Sequence, residues 1–317
     1  MDTSTLISTL TVSGFLNILI NGTIIYCVFT KSPRYMKDYR WFVLNITIAD
    51  LLYGIHSGLI FQFKLVINDQ FAGAIVIGIT RHLGDFWGGY FQAQINLSLF
   101  FYGMSALTLN FLYRYFCLCS SELIKRYSKR KWLLIIFSTV FVVQVVTSIP
   151  SFVMQSRPED MKTALNLSLV TSVFAYYYVN NLPLYIYAGV GLINNLTLNF
   201  INGFCTLFIN FTLKKANYSK QTRDMHKSLV TALIIQQSVP LIFFSITALL
   251  IVLNLGKIIS IDTEMICDIH VCMQTSIGVV NGLATLIFPL TNQEKSGFLA
   301  WKSSRQHKKH RNRESEN

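Results

Sequence analysis

The chain has 317 residues, of which 52% are hydrophobic and only 13% charged, with a formal net charge of +12 and a mean hydropathy of +0.45. A soluble globular domain carries about 25% charged residues, so this composition is that of a membrane protein. The positive charge is divided among segments between apolar runs rather than gathered into one patch, which argues against nucleic acid as a partner.

A bilayer core about 30 Å thick needs on the order of 20 apolar residues per helical span, and the chain offers seven such runs. Residues 6–29 form the first, which is too long and wrongly flanked for a cleaved signal peptide. A basic loop opened by Ser32-Pro33 leads to the second, residues 41–63. The connector from Lys64 to Asp85 holds an apolar piece, Phe71 to Ile79, too short to cross. The third run, residues 86–116, exceeds the core thickness at about 1.5 Å per residue and therefore tilts or protrudes. It ends in Tyr113-Arg114-Tyr115, and a strongly basic loop follows. The fourth run covers residues 132–154. The fifth, rich in asparagine, covers 184–213, and the sixth, interrupted by Pro240, covers 228–255. A short acidic connector precedes the seventh run at 269–290, and residues 291–317 form a basic polar tail. The chain thus reads as an all-α membrane protein, a seven-transmembrane helix bundle without internal repeat.

Lysine and arginine in alternate connectors set the expected orientation. Of the 27, only Lys64, Arg81, Arg157, Lys162 and Lys257 fall on one side, and the other 22 share the opposite side. The positive-inside rule then places the N-terminus outside and the C-terminus in the cytosol, which requires an odd number of spans and fits seven. Asn166-Leu167-Ser168, in an outer connector, is a candidate N-glycosylation acceptor.

Within WFVLNITIADLL of the second run, Asp50 is a carboxylate in an otherwise apolar stretch. A charge near the bilayer centre costs roughly 2.5 to 3.5 kcal/mol on insertion scales, so it faces the bundle and marks a functional position. Counting residues from the helix ends puts Asn21 and Asn281 at the same depth, where three helices meet in one polar cluster. Two readings stand: a switch core whose hydrogen bonds differ between two packing states, or a neutral, protonated aspartate that glues helices together.

Arg114 stands where the third helix leaves the membrane, either folded into a cytosolic cavity or snorkelling as an anchor. In the sixth run Pro240 has no N–H, leaving the carbonyl of Gln236 without its usual partner, and a hinge or a static bend follows. Gln92, Gln94 and Asn96 on the third helix, Tyr185 and Tyr187 on the fifth, Phe243 and Phe244 beyond the proline, and His270 and Gln274 on the seventh suit an outward-open cavity for a small, weakly polar ligand. Ordinary interhelical bonding with an aromatic belt is the alternative for each of them. No HExxH, GxSxG or paired intramembrane carboxylate occurs, so neither an enzyme nor a metal or cofactor site is expected.

LNITIADLL resembles the second-helix signature of rhodopsin-like receptors, and Tyr113-Arg114-Tyr115 stands where those carry an acid-Arg-Tyr triplet. Asn21 followed by IIYCVFTKSP, then YRWFVLNITIADLL, NFLYRYFCL, and LVTALIIQQSVP resemble the nematode serpentine chemoreceptors, most nearly class delta. The resemblance implies a G-protein-coupled chemoreceptor with an outer ligand cavity, Asp50 and Asn21 in its core, and Arg114 with its flanking Tyr113 and Tyr115 at the face for a heterotrimeric G protein. Three departures accompany it. Tyr113 replaces the acid that would pair with the arginine, Phe288-Pro289 replaces Asn-Pro, and the cysteines of the usual outer disulfide are missing. Asp224, near the inner end of the sixth helix, is then the acid expected to hold Arg114 at rest. A small multi-pass transporter with Asp50 as coupling residue is the rival class, although it would be expected to show repeats.

Overall fold

The computed structural model describes residues 2–30, 39–67, 71–119, 130–150, 157–167, 171–177, 182–215, 220–255, 262 and 264–287. Seven long helices run through it: α1 Thr3–Thr30, α2 Tyr39–Ile55, α3 Phe91–Cys119, α4 Arg130–Ser148, α5 Leu182–Lys215, α6 Lys220–Leu255 and α7 Glu264–Ile287. Six of these segments are long and apolar enough to cross a membrane; in α6 the described apolar stretch is the shorter Lys227–Ile242. Helix is the form that satisfies every backbone polar group within an apolar segment. Side chains follow the same rule on α1, where the hydroxyls of Ser8, Thr9, Thr23 and Thr30 each donate to the carbonyl four residues back. Leu19 and Phe29 on α1 and Phe200, Leu207 and Phe211 on α5 point outward, forming an apolar girdle where a soluble protein would carry charge.

α2 widens into a π-helical turn, His56–Ile60, and α3 is preceded by another, Asp85–Tyr90. The turn in α2 packs against α1 so closely that a Cβ on Gly58 would lie 2.7 Å from Gly14 Cα, an approach only small residues allow.

The all-α expectation is incomplete at one end of the bundle. There β1 Phe63–Ile67, β2 Phe71–Val76 and β3 Val173–Tyr177 form an antiparallel sheet in the order β1-β2-β3, with Phe63 opposite Val76 and Gly73 opposite Ala175. The apolar piece too short to cross is β2. It is rich in small and β-branched residues at strand length, and its Gly73 leaves no room for a Cβ against the Phe174 carbonyl. Since β1 and β2 precede α3 while β3 follows α4, the sheet ties two connectors together.

Among the described residues no disulfide does this work, and Cys27, Cys267 and Cys272 are free thiols. Asp85 stands in that role. One carboxylate oxygen accepts the Val173 N–H at 2.9 Å, and the other takes Lys162 Nζ at 2.7 Å from the short helix Pro158–Ala164. Ser172 Oγ donates to the Arg81 carbonyl at 2.7 Å, and Gly89 lets β3 approach, since a Cβ there would sit 2.5 Å from the Val173 oxygen. On β1, Lys64 pairs with Glu264 at the start of α7, and that carboxylate raises the Lys64 ammonium above its ordinary range.

Beneath the sheet, Leu6, Leu10, Phe61, Phe63, Phe174 and Val271 form one apolar cluster. At the opposite end Ile46, Leu107, Phe111, Ile209, Leu213 and Leu233 form another. Tyr53, Phe100, Met104 and Ile277 lie between them.

Candidate functional site

Asp50 is 7% exposed, and its two carboxylate oxygens accept from Asn281 Nδ2 at 3.4 and 3.3 Å. Among the described residues no cationic side chain pairs with it. Asn21 reaches the same layer from α1, donating through Nδ2 to the Gly278 carbonyl of α7 at 3.3 Å and to Asn17 Oδ1 at 2.9 Å. α1, α2 and α7 thus meet around one polar cluster, in which Asn281 touches Asp50 directly and Asn21 reaches it only through α7 backbone. Asn17 packs between Gly54 and Gly278, at either of which a Cβ would run into its carboxamide. A cavity of about 20 Å³ opens beside the carboxylate, bounded among others by Tyr53, Met104, Pro240 and Asn281. That is room for a single water.

From this layer the polar chain continues into α6. Gln236 Nε2 donates to the Asn281 carbonyl at 3.0 Å and to Thr285 Oγ1 at 2.7 Å. The neighbouring Gln237 points the other way: its Oε1 accepts from Asn202 Nδ2 of α5 at 2.6 Å, and its Nε2 donates to Asn199. Asn199 in turn donates to the Asn195 carbonyl at 2.9 Å. Two consecutive glutamines, one turn before Pro240, therefore clamp α6 to α7 and to α5. This gives Asn199 and Asn202 of the fifth run an interhelical role.

Toward the sheet lies a second cavity, of about 230 Å³. Phe61, Phe63, Phe100, Phe174 and Tyr176 wall it, and Asn96, His270 and Gln274 supply polar groups. Of the residues expected to line it, those three do so. Gln92 and Gln94 do not: Gln92 bonds His56 Nε2 at 3.0 Å, while Gln94 bonds Ser148 of α4. Each satisfies its carboxamide against a neighbouring helix, as a buried amide must. The side chains of Tyr185, Tyr187, Phe243 and Phe244 lie outside the described residues. Asn166 is exposed at the end of the short helix, in a left-handed turn with φ of 50°.

At the opposite end Arg114 is 5% exposed, and its Nε and Nη2 have no hydrogen-bond partner among the described residues. Its guanidinium lies instead over the Tyr39 ring, 4.0 Å from the centroid. Tyr113 stacks on Tyr39 at 5.9 Å and on Phe42 at 4.2 Å. Tyr115 turns toward α5, against Phe204 and Phe208. Asp224 belongs to α6, but its side chain is outside the described residues.

Four residues of these networks escape a reading of the sequence. Asn17 could have been found as the i, i+4 neighbour of Asn21. His56 sits in an apolar run, where a lone imidazole signals polar company; its Nδ1 faces Asn96 Oδ1 at 3.3 Å. Tyr39 and Gln237 gave no local signal, because their partners are on other helices.

The comparisons with known proteins agree with this architecture. Residues 6–288 match the family described as Serpentine type 7TM GPCR chemoreceptor Srd. The chain is also similar to serpentine receptor class delta-33 of Caenorhabditis elegans, 26% identical over 247 residues that cover 75% of this chain and 70% of the relative. With seven long helices and a family match across most of its length, the chain belongs to the Srd family of serpentine seven-transmembrane chemoreceptors, multi-pass membrane proteins of the G-protein-coupled receptor type.

Proposed function

We propose that this chain binds a small molecule in the cavity beneath the sheet and signals through its opposite end to a heterotrimeric G protein. The sheet end then faces outside and the basic connectors and tail face the cytosol, the orientation favoured by the lysine and arginine distribution. Sensory-cell plasma or ciliary membrane is the expected location.

One observation carries the reading: the unbroken chain Asp50–Asn281–Gln236, which joins α2, α7 and α6 midway between the cavity and Arg114. A ligand that packs against Gln274 and His270 bears on α7, about two to three turns above Asn281 on the same helix. A shift of α7 breaks or re-forms the bonds to Gln236, and α6 is free to swing about Pro240 only when both glutamine clamps let go. Such a ligand moves the equilibrium only by its difference in affinity between the two packings. At the cytosolic end, release of Arg114 from Tyr39 would offer a guanidinium to the partner, with Tyr113, Tyr115 and Asp224 around it. Asp50 and Asn21 thereby act as a switch core rather than as static glue.

The direct test is nucleotide exchange on a purified G protein by the receptor in nanodiscs, with and without an activating ligand. Ligand-dependent flux in sealed vesicles without any nucleotide exchange would move the chain to the rival transporter class.

A further inference from the structure

From the cavity beneath the sheet we infer that the ligand is an uncharged molecule, smaller than a typical drug, with an apolar body and a single hydrogen-bonding head recognised by Gln274. The inference rests on the functional reading above and narrows it to a ligand class.

Three observations carry it. The first is charge: none of the lining residues is Asp, Glu, Lys or Arg. An ion entering this space would lose its hydration without a counter-charge to replace it. The second is size and shape. About 230 Å³ is less than the roughly 300 to 1,000 Å³ of drug-sized sites, and the walls are aromatic, with Phe61, Phe63 and Phe174 in mutual contact under the strands.

The third is the state of the polar groups. Asn96 is committed to His56, which is itself held at its other nitrogen by Gln92. A neutral imidazole has one N–H, so one of these two carboxamides turns its NH2 to the ring, and both are locked by that choice. Gln274 differs. It lines the cavity one turn beyond His270, and its side chain makes no hydrogen bond among the described residues. A carboxamide offers a donor and an acceptor together, so it suits a ketone, an alcohol or an amide equally, and it discriminates against a hydrocarbon of the same shape.

The experiment uses the full chain in nanodiscs with five matched probes: acetophenone, 1-phenylethanol, ethylbenzene, benzoate and benzylammonium. Binding is read directly by saturation-transfer NMR, with affinities from titration. Acetophenone and 1-phenylethanol should bind about threefold to tenfold tighter than ethylbenzene, the worth of one hydrogen bond, and the two ions should not bind. Gln274→Leu should erase that preference while keeping ethylbenzene binding, and Ala93→Phe, on the cavity wall, should abolish binding of all. A melting curve for each variant verifies folding. Binding of either ion as tight as the ketone, an unchanged preference in Gln274→Leu, unaffected binding in Ala93→Phe, or no binding by any probe would overturn the assignment. Because the readout needs no G protein, probe binding without nucleotide exchange would count against the signalling proposal and leave this one standing.

Discussion

Arg114 of α3 and Tyr39 of α2 are held together by a cation–π contact of 4.0 Å, at the position where rhodopsin-like receptors use an acid to hold the arginine. Tyr113, which replaces that acid in sequence, lies in the same aromatic stack. A contact of this kind is worth about 0.5 to 2 kcal/mol. Tyr39→Leu is therefore expected to raise ligand-independent nucleotide exchange about threefold to tenfold, whereas Tyr39→Phe, which keeps the ring, should stay near the parent rate. A raised rate in Asp224→Asn with no change in Tyr39→Leu would assign the resting hold to Asp224 instead.

Asn281 is the side-chain donor to Asp50 among the described residues. Removing it in Asn281→Ala should cost about 1 to 3 kcal/mol, seen as a lower melting temperature of the purified receptor. A double-mutant cycle with Asp50→Ala should give a coupling of about 0.5 to 3 kcal/mol, and the same cycle with Asn21→Ala a value below about 0.5 kcal/mol, since Asn21 bonds α7 backbone rather than the carboxylate. Equal couplings would mean that Asn21 reaches Asp50 directly.

Gln237 ties α6 to α5 through Asn199 and Asn202. Gln237→Leu keeps the bulk and deletes both bonds, so basal exchange should rise and distances between spin labels across α5 and α6 should broaden. A narrow distance distribution and a parental basal rate would show that this clamp restrains nothing.

Lys162 and Asp85 hold the sheet through an ion pair. Asp85→Ala takes a carboxylate from the nearly buried Lys162 ammonium and removes the acceptor for Val173, a loss of about 1 to 3 kcal/mol given that the Asp85 side chain is partly exposed. Lys162→Met, which removes the charge itself, should cost less. Limited proteolysis of the connectors reads the difference: faster cleavage in Asp85→Ala than in Lys162→Met is expected.

Asn166 tests orientation. In microsomes the parent chain should show a glycosidase-sensitive mobility shift that Asn166→Gln abolishes. Modification at Asn217 instead would invert the bundle.

Much of this was legible along the chain, because crossing a bilayer demands apolar length, and length is a local property. Seven runs, the short apolar piece before Asp85 and the isolation of Asp50 could all be read without coordinates. So could the depth match with Asn281, since helical rise is constant. Contacts between helices could not. Whether Asn96 or Gln94 faces the cavity depends on how α3 is rotated against α4, and Ser148 decides that for Gln94. Residues 63–67, 71–76 and 173–177 became a sheet because distant connectors meet over the bundle, a pairing about a hundred residues apart that no window of sequence contains. Tyr39 came to hold Arg114 for the same reason. Which groups needed partners followed from the order of residues, through the cost of leaving them unpaired in an apolar medium; which partner each received followed from how the helices pack.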